Sequence, residues 1–270
     1  MQVSLATDPA KPNGDNEDSA AVGPETLVLI DGAGSGGADS GCIHGVAWYA
    51  RHLGSAVLAQ STSPSGSLRD ALRAAIDDVA ALHAGTCDLD HPGTPSATVV
   101  VARARGGYVE YLVLADSVLL IETNDGQIRA ISDQREADAA APYRAALHSA
   151  PQGPARDRAL REFMTAMQNH RNRQGGFWVA STDPAAADEA ITDQVAVDDV
   201  RALALLSDGA SRLVDRFALA DWPDLMRTVA EEGPAELIRR TRAAENSDPD
   251  ATRWPRGKSR DDATAVYATF

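Results

Sequence analysis

The sequence predicts an α+β fold in which two antiparallel β-sheets pack together with helices outside. Three observations lead there. Helical and β-rich stretches come in blocks instead of alternating singly. The β-rich block from Ser96 to Ile131 is folded back at Gly106-Gly107 and Asn124-Asp125-Gly126, turns too short to join parallel strands. Finally, Leu27–Ile30, Leu112–Ala115 and Leu203–Leu206 are aliphatic runs that stop at Asp31, Asp116 and, after one serine, Asp208. Such runs read as buried strands, and an aspartate at the end of one sits on a rigid mount where core meets solvent.

In chain order, residues 1–7 and 18–30 read as strands, the second stretch divided by the Gly23-Pro24 turn. A helical apolar pattern runs from 38 to 60, and a second from 67 to 84 with Ser67 as its cap. Four meandering strands follow, at 96–102, 108–115, 118–123 and 127–131. Residues 136–175 are charged, alanine-rich and helical, interrupted by Pro142, Pro151 and Pro154. The stretch 133–183 reads as a flap or insertion within a single domain spanning 1–270, and 175–183 as a short strand. Residues 202–206 form a strand. A helix capped by Asp221, with Pro223 in its first turn, runs to 244 with a break near Gly233-Pro234. Residues 263–270 close the chain as a strand.

Bulk properties exclude several function classes. The net charge is −14, with 39 acidic against 25 basic residues, so no basic surface recommends nucleic acid or an anionic membrane as a partner. No run approaches the roughly 20 apolar residues of a membrane span, and the N-terminus lacks the features of a secretion signal. Two cysteines, Cys42 and Cys87, are too few for a disulfide framework, so the expected setting is the reducing cytoplasm. Arginine far outnumbers lysine, which occurs only at 11 and 258, a bias of high-GC bacterial genomes.

The acidic motifs carry the chemistry. Asn16-Glu17-Asp18 opens a strand; Asp31-Gly32, Asp116-Ser117 and Asp208-Gly209 end strands; Asp261-Asp262-Ala263-Thr264 precedes the last one. Any one of these alone is a turn signal. Carboxylates gathered from all five places would repel one another and raise each other's pKa unless they serve a cation. Hard, oxygen-preferring divalent ions such as Mg2+ or Mn2+ suit that donor set.

The ordered set Asn-Glu-Asp, Asp-Gly-x-Gly, Ser-Ala-Thr, x-Asp-Ser, Ser-Asp-Gly and Asp-Asp-x-Thr resembles the metal-dependent protein phosphatase 2C (PPM) family over residues 16–270. The resemblance implies an αββα four-layer sandwich with a binuclear Mn2+ or Mg2+ centre. It implies that Asp31 bridges the two ions, with Glu17 and the Gly32 carbonyl on one and Asp208 and Asp261 on the other. Asp18 would act through a metal-bound water, and Asp116 would share a third ion with Asp208. The implied activity is hydrolysis of phosphoserine or phosphothreonine on proteins, or of a phosphorylated small molecule, by a water that the two ions activate. The chain departs from the family at three places. Asn13 stands where a phosphate-holding arginine is usual, with Lys11 nearby. Ala33 replaces histidine or methionine, and Val118 replaces the arginine of Gly-Asp-Ser-Arg. These losses motivate an alternative, a pseudophosphatase or phosphoprotein-binding module that keeps the fold.

Other motifs read more plainly. Gly32-Ala-Gly34-Ser-Gly-Gly37 fits a dinucleotide fingerprint, but no acidic residue lies at 50–57 and the following strands meander. Cys42-x-His44 and Cys87-x3-His91 carry zinc-type ligands at a spacing that matches no common zinc pattern, and Cys42 falls within the expected helix. They are read as core and surface residues. Trp178 is expected in the core, and Arg239, Arg240 and Arg242 at the solvated end of a helix.

Overall fold

A computed structural model describes residues 1–34, 39–151 and 153–270, the side chain of His148 excepted. Strands β1 (Gln2–Asp8), β2 (Asp18–Val22) and β3 (Thr26–Ala33) precede helices α1 (Val46–Gln60) and α2 (Leu68–His83). Then come β4 (Ser96–Arg105), β5 (Tyr108–Leu114), β6 (Val118–Thr123) and β7 (Ile128–Ile131), followed by α3 (Arg135–Ser149) and α4 (Pro154–His170). The chain ends with β8 (Ile191–Ala196), β9 (Val200–Leu206), α5 (Asp208–Asp215), α6 (Trp222–Glu231), α7 (Pro234–Ser247) and β10 (Ala263–Thr269).

Two five-stranded sheets result, ordered β1-β10-β9-β6-β7 and β2-β3-β4-β5-β8, with every pairing antiparallel. Strand alternation produces the layers. Leu27 and Leu29 of β3 meet Leu119, Ile121, Leu203 and Leu205 of the other sheet in the central layer. Val28 and Ile30 face the opposite way, onto Leu53, Val57, Leu72 and Ile76 of α1 and α2. Leu120, Ala204 and Leu206 turn outward onto Leu213, Leu225, Val229 and Leu237 of α5, α6 and α7. The predicted two-sheet sandwich with outer helices is therefore present. The all-antiparallel pairing also removes the dinucleotide reading, whose Gly32–Gly37 run lies partly outside the described residues. No described helix is long and apolar enough to cross a membrane.

Local signals behave as the sequence implies. Ser67 and Asp70 form a reciprocal capping box at the start of α2, and Asp221 accepts from the Asp224 amide at the start of α6. Four expectations need correction. The first helix begins at Val46, not 38, so Cys42 lies in the loop before it. Residues 175–183 make only the isolated bridges Ala97–Ala180 and Arg171–Phe177, not a strand. The edge strand β8 and the eight-residue α5 were not expected: β8 is only half apolar and has no buried residue, and α5 is two turns long with no side-chain cap. Arg242 is buried, because its guanidinium joins Glu245 to Asp8, whereas Arg239 and Arg240 pair with Glu236 at the surface as predicted.

Candidate metal centre

Pairing geometry collects the acidic motifs at one end of the sandwich. In the β2–β3 ladder Asp18 lies directly opposite Asp31, and the Gly32 amide donates to the Glu17 carbonyl at 3.1 Å. The strands approach so closely there that a Cβ on Gly32 would sit 2.5 Å from the Glu17 oxygen, which accounts for glycine at this position. On the other sheet, the Asp208 amide at the start of α5 donates to Asp31 Oδ2 at 3.1 Å, stitching the two sheets together through the site. Gly209 lies against the backbone before β10: an added Cβ would be 1.8 Å from the Asp262 carbonyl.

Each predicted residue can now be placed. Asp31, Asp208, Asp261, Asp18, Asp116 and Glu17 act on one another electrostatically in overlapping sets. Burial, and then the charges of Asp18, Asp208, Asp261 and Asp116, push the Asp31 carboxyl well above its usual range. Burial and Asp261 raise Asp208 to about 7. Burial raises Asp18 to about 7 against hydrogen bonds from Ser207 and Thr264, and its Oδ2 has no partner among the described residues. Burial raises Glu17, with Asp262, Asp261 and Asp15 adding to the effect. Asp116 reaches about 8 through burial and the neighbouring Glu136. Asp262, by contrast, is a brace: its carboxylate accepts from the Ala10 amide at 2.7 Å and the Glu17 amide at 3.2 Å, positioning the segment that carries Glu17.

The Ser-Ala-Thr motif is structural. Ser96 donates to the Ala33 carbonyl at 3.2 Å, and the buried Thr98 and Ser117 hydroxyls meet at 2.5 Å, fixing the strand end that bears Asp116.

Sequence reasoning missed several contributors. Lys258 Nζ lies 2.8 Å from Asp261 Oδ1, and burial, which lowers its pKa, is outweighed by Asp261, Glu17 and Asp31. Arg212 contacts Asp261 Oδ2 at 2.7 Å and Glu245 at 2.7 Å, and Arg242 completes a buried chain from Glu245 to Asp8. Glu136, on α3, faces Asp116. A cleft of about 420 Å³ is lined by Asp116, Asp208, Arg144, Arg212 and Arg216. None of these side chains carries a periodic or motif signal; only the tertiary fold brings them to the site.

Oxygen donors, an orphaned buried carboxylate oxygen and mutually raised acids fit hard divalent cations. The acidic group is broader than a single coordination sphere, as suits two ions held by shared carboxylates.

Without cations, these acids bind protons on folding that the unfolded chain releases. The cation-free protein will lose stability as pH rises from about 4, the unfolded range, through about 7, where Asp18 and Asp208 titrate. Thermal melts at pH 5 and pH 8, with chelator and then with Mn2+, check this. Mn2+ should raise the melting temperature far more at pH 8, and equal shifts at both values would contradict the account.

The family described as Protein phosphatase 2C matches residues 11–241. No curated protein matches by sequence. Among solved structures, the chain is similar to the Mycobacterium tuberculosis serine/threonine phosphatase PstP/Ppp, at 17% identity and TM-score 0.59, over 100% of this chain and 98% of that one. It is similar to the Staphylococcus aureus serine/threonine phosphatase Stp1 at 16% identity and TM-score 0.61, over 100% and 95%. The PstP catalytic domain in complex with two manganese ions aligns at 18% identity and TM-score 0.53, over 99% and 97%. At these identities the structural likenesses show the fold.

Proposed function

The chain belongs to the Protein phosphatase 2C family, which makes it a metal-dependent protein phosphatase, and we propose that it removes phosphate from phosphoserine and phosphothreonine at the acidic cluster. The observation that carries the site assignment is the convergence of Asp31 and Asp208 from two different sheets, joined by the Asp208 amide to Asp31 Oδ2 bond. In this reading Glu17, Asp31 and the Gly32 carbonyl would hold one ion, and Asp31, Asp208 and Asp261 would hold the other. Asp116 and Asp208, with Glu136 beside them, offer a weaker third site. Manganese and magnesium both suit these oxygen ligands. When bound, two such ions activate a water near neutral pH and offset the negative charge that spreads over the phosphoryl group.

The protein's own groups do the rest. Asp18, buried and opposite Asp31 in the ladder, would act from outside the ligand set through a water on the ions. Arg212 and Lys258 hold Asp261 in place from either side. Residues 133–183 would act as the flap, with Arg144 lining the cleft and Glu136 beside Asp116. The substrates are phosphoproteins in the cytoplasm.

Lys258 is the residue we assign to the role that Asn13 cannot play. Its side chain is 57% exposed and lies beside Asp261, on the side of the cluster that includes Glu17. An ammonium there attracts phosphate as a point charge, without the bidentate fork of arginine. Lys258→Ala should raise KM for a phosphothreonine peptide roughly 10- to 100-fold with kcat little changed, the range expected when about 1.5–3 kcal/mol of charged hydrogen bonding is lost. Lys258→Arg should restore most of it. An unchanged KM with tighter Mn2+ activation would show instead that Lys258 only competes with the ions for Asp261. The activity itself is tested by phosphate release from phosphoserine and phosphothreonine peptides with Mn2+ or Mg2+. Release that survives chelation would overturn the proposal.

A further inference from the structure

A second set of metal-ligating side chains lies away from the acidic cluster, in the loop before α1 and at the end of α2. Cys42, His44, His83 and Cys87 each offer one ligand atom, and these four atoms all lie within 4.8 Å of one another. Among the described residues no other group of three or more His, Cys, Asp or Glu side chains gathers so tightly. We propose that these four residues form a structural zinc site of the Cys2His2 type.

The separations are of the size one ion would set, with the two sulfurs about 0.5 Å closer together than the roughly 3.8 Å of a zinc-bound pair. Cys87 Sγ is 3.3 Å from Cys42 Sγ and 3.3 Å from His44 Nδ1. Cys42 Sγ is 3.8 Å from both His44 Nδ1 and His83 Nδ1. With Zn–S near 2.3 Å and Zn–N near 2.0–2.1 Å, the edges of a tetrahedral site run from about 3.3 to 3.8 Å. Four protein ligands leave no open position for substrate, so the site holds structure and performs no chemistry.

Local structure explains how the ligands converge. Cys87 follows His83 by one helical turn, with the Cys87 amide donating to the His83 carbonyl at 3.0 Å, so both side chains leave the same face. The Asp88 amide donates to the Gly41 carbonyl at 2.8 Å and brings the Cys42 loop alongside. Trp48 stacks on His44 with ring centroids 4.3 Å apart and sets the imidazole plane. His83 is completely buried, and among the described residues its Nδ1 meets only the Cys42 sulfur. A core imidazole nitrogen with no oxygen or nitrogen partner is accounted for when Nδ1 is a ligand.

The ligand chemistry separates this site from the acidic one. Two sulfurs and two imidazoles select zinc over Mg2+ or Mn2+. Binding releases the two thiol protons, and two thiolates with one Zn2+ give a centre of zero net charge, which suits a half-buried position. A disulfide is the competing fate of the thiols, but their 3.3 Å separation is well beyond a bond of about 2.05 Å and would leave both imidazoles unexplained. The sequence pairing of Cys87 with His91 is corrected accordingly: His91 Nδ1 accepts from the Gly93 amide, and His83 takes its place. The site ties the loop after the Asp31-Gly32 strand to the end of α2, independently of the phosphatase reading.

The test uses the full chain, purified without chelator. Metal analysis should find one tightly held zinc per chain, retained in Asp208→Asn and lost in Cys42→Ser and in Cys87→Ser. Replacement by Co2+ should give intense tetrahedral visible bands and a near-ultraviolet thiolate-to-cobalt charge-transfer band. If the serine variants fail to fold, the spectrum of the unsubstituted chain still decides, because carboxylate-bound cobalt gives neither feature. A Cys42–Cys87 disulfide with no zinc, thiolate bands that are absent, or cobalt spectra unchanged in Cys87→Ser would each overturn the proposal.

Discussion

Asp208→Asn will reduce divalent-cation-dependent hydrolysis of phosphopeptides by more than about 100-fold, beyond the roughly 10- to 100-fold typical of losing an outer partner of a metal site. The same substitution will raise the melting temperature of the cation-free protein at pH 8. Both effects have one cause. Asp208 is half-buried beside the charges of Asp31, Asp261 and Asp116, and its own charge is unfavourable there unless a cation offsets it. Steady-state kinetics and thermal melts on one preparation measure the two together. A variant that is inactive and also less stable would point to a folding role, and an active variant would remove Asp208 from the site.

Glu245→Ala will destabilise the fold by about 3–5 kcal/mol, the penalty for leaving buried charge without its partner. Glu245 is almost wholly buried, and its two oxygens are each 2.7 Å from a guanidinium, one from Arg212 and one from Arg242. Its removal strands both arginines and loosens Arg212 from Asp261, so cation affinity should fall along with stability. Arg239→Ala, on the exposed face of the same helix, should stay within about 0.5 kcal/mol. Urea unfolding of the two variants provides the comparison, and equal effects would mean that the buried network contributes little.

Much of this was legible because burial and chemistry leave separate marks on a strand. Leu27–Ile30 had to be a central strand, since both of its faces are apolar, and Asp31 at its end is polar where such a strand should stop. The same logic located Asp116 and Asp208. The helix caps at Ser67 and Asp221 were also readable, because capping is decided within four residues. The hidden parts depend on distant partners. Lys258 lies in a polar loop, Glu136 and Arg144 in a charged helix with no clear apolar stripe, and Arg242 looked like any solvated helix end. Their roles come from what the other sheet or the intervening helices bring beside them. His83 read as the last turn of an amphipathic helix, which it is; that it faces two cysteines depends on how the loop before α1 folds back. The edge strand β8 was missed because only half its residues are apolar and it is defined by pairing with β5.

The central claim is that carboxylates from the two sheets together hold a pair of divalent ions. Anomalous diffraction from crystals grown with Mn2+ tests it most directly. The account predicts two manganese peaks about 3.5–4 Å apart, with Asp31 contacting both and Asp208 and Asp261 contacting one of them. Peaks found only elsewhere, or no manganese at Asp31 in crystals of protein shown to be active with that metal, would contradict it.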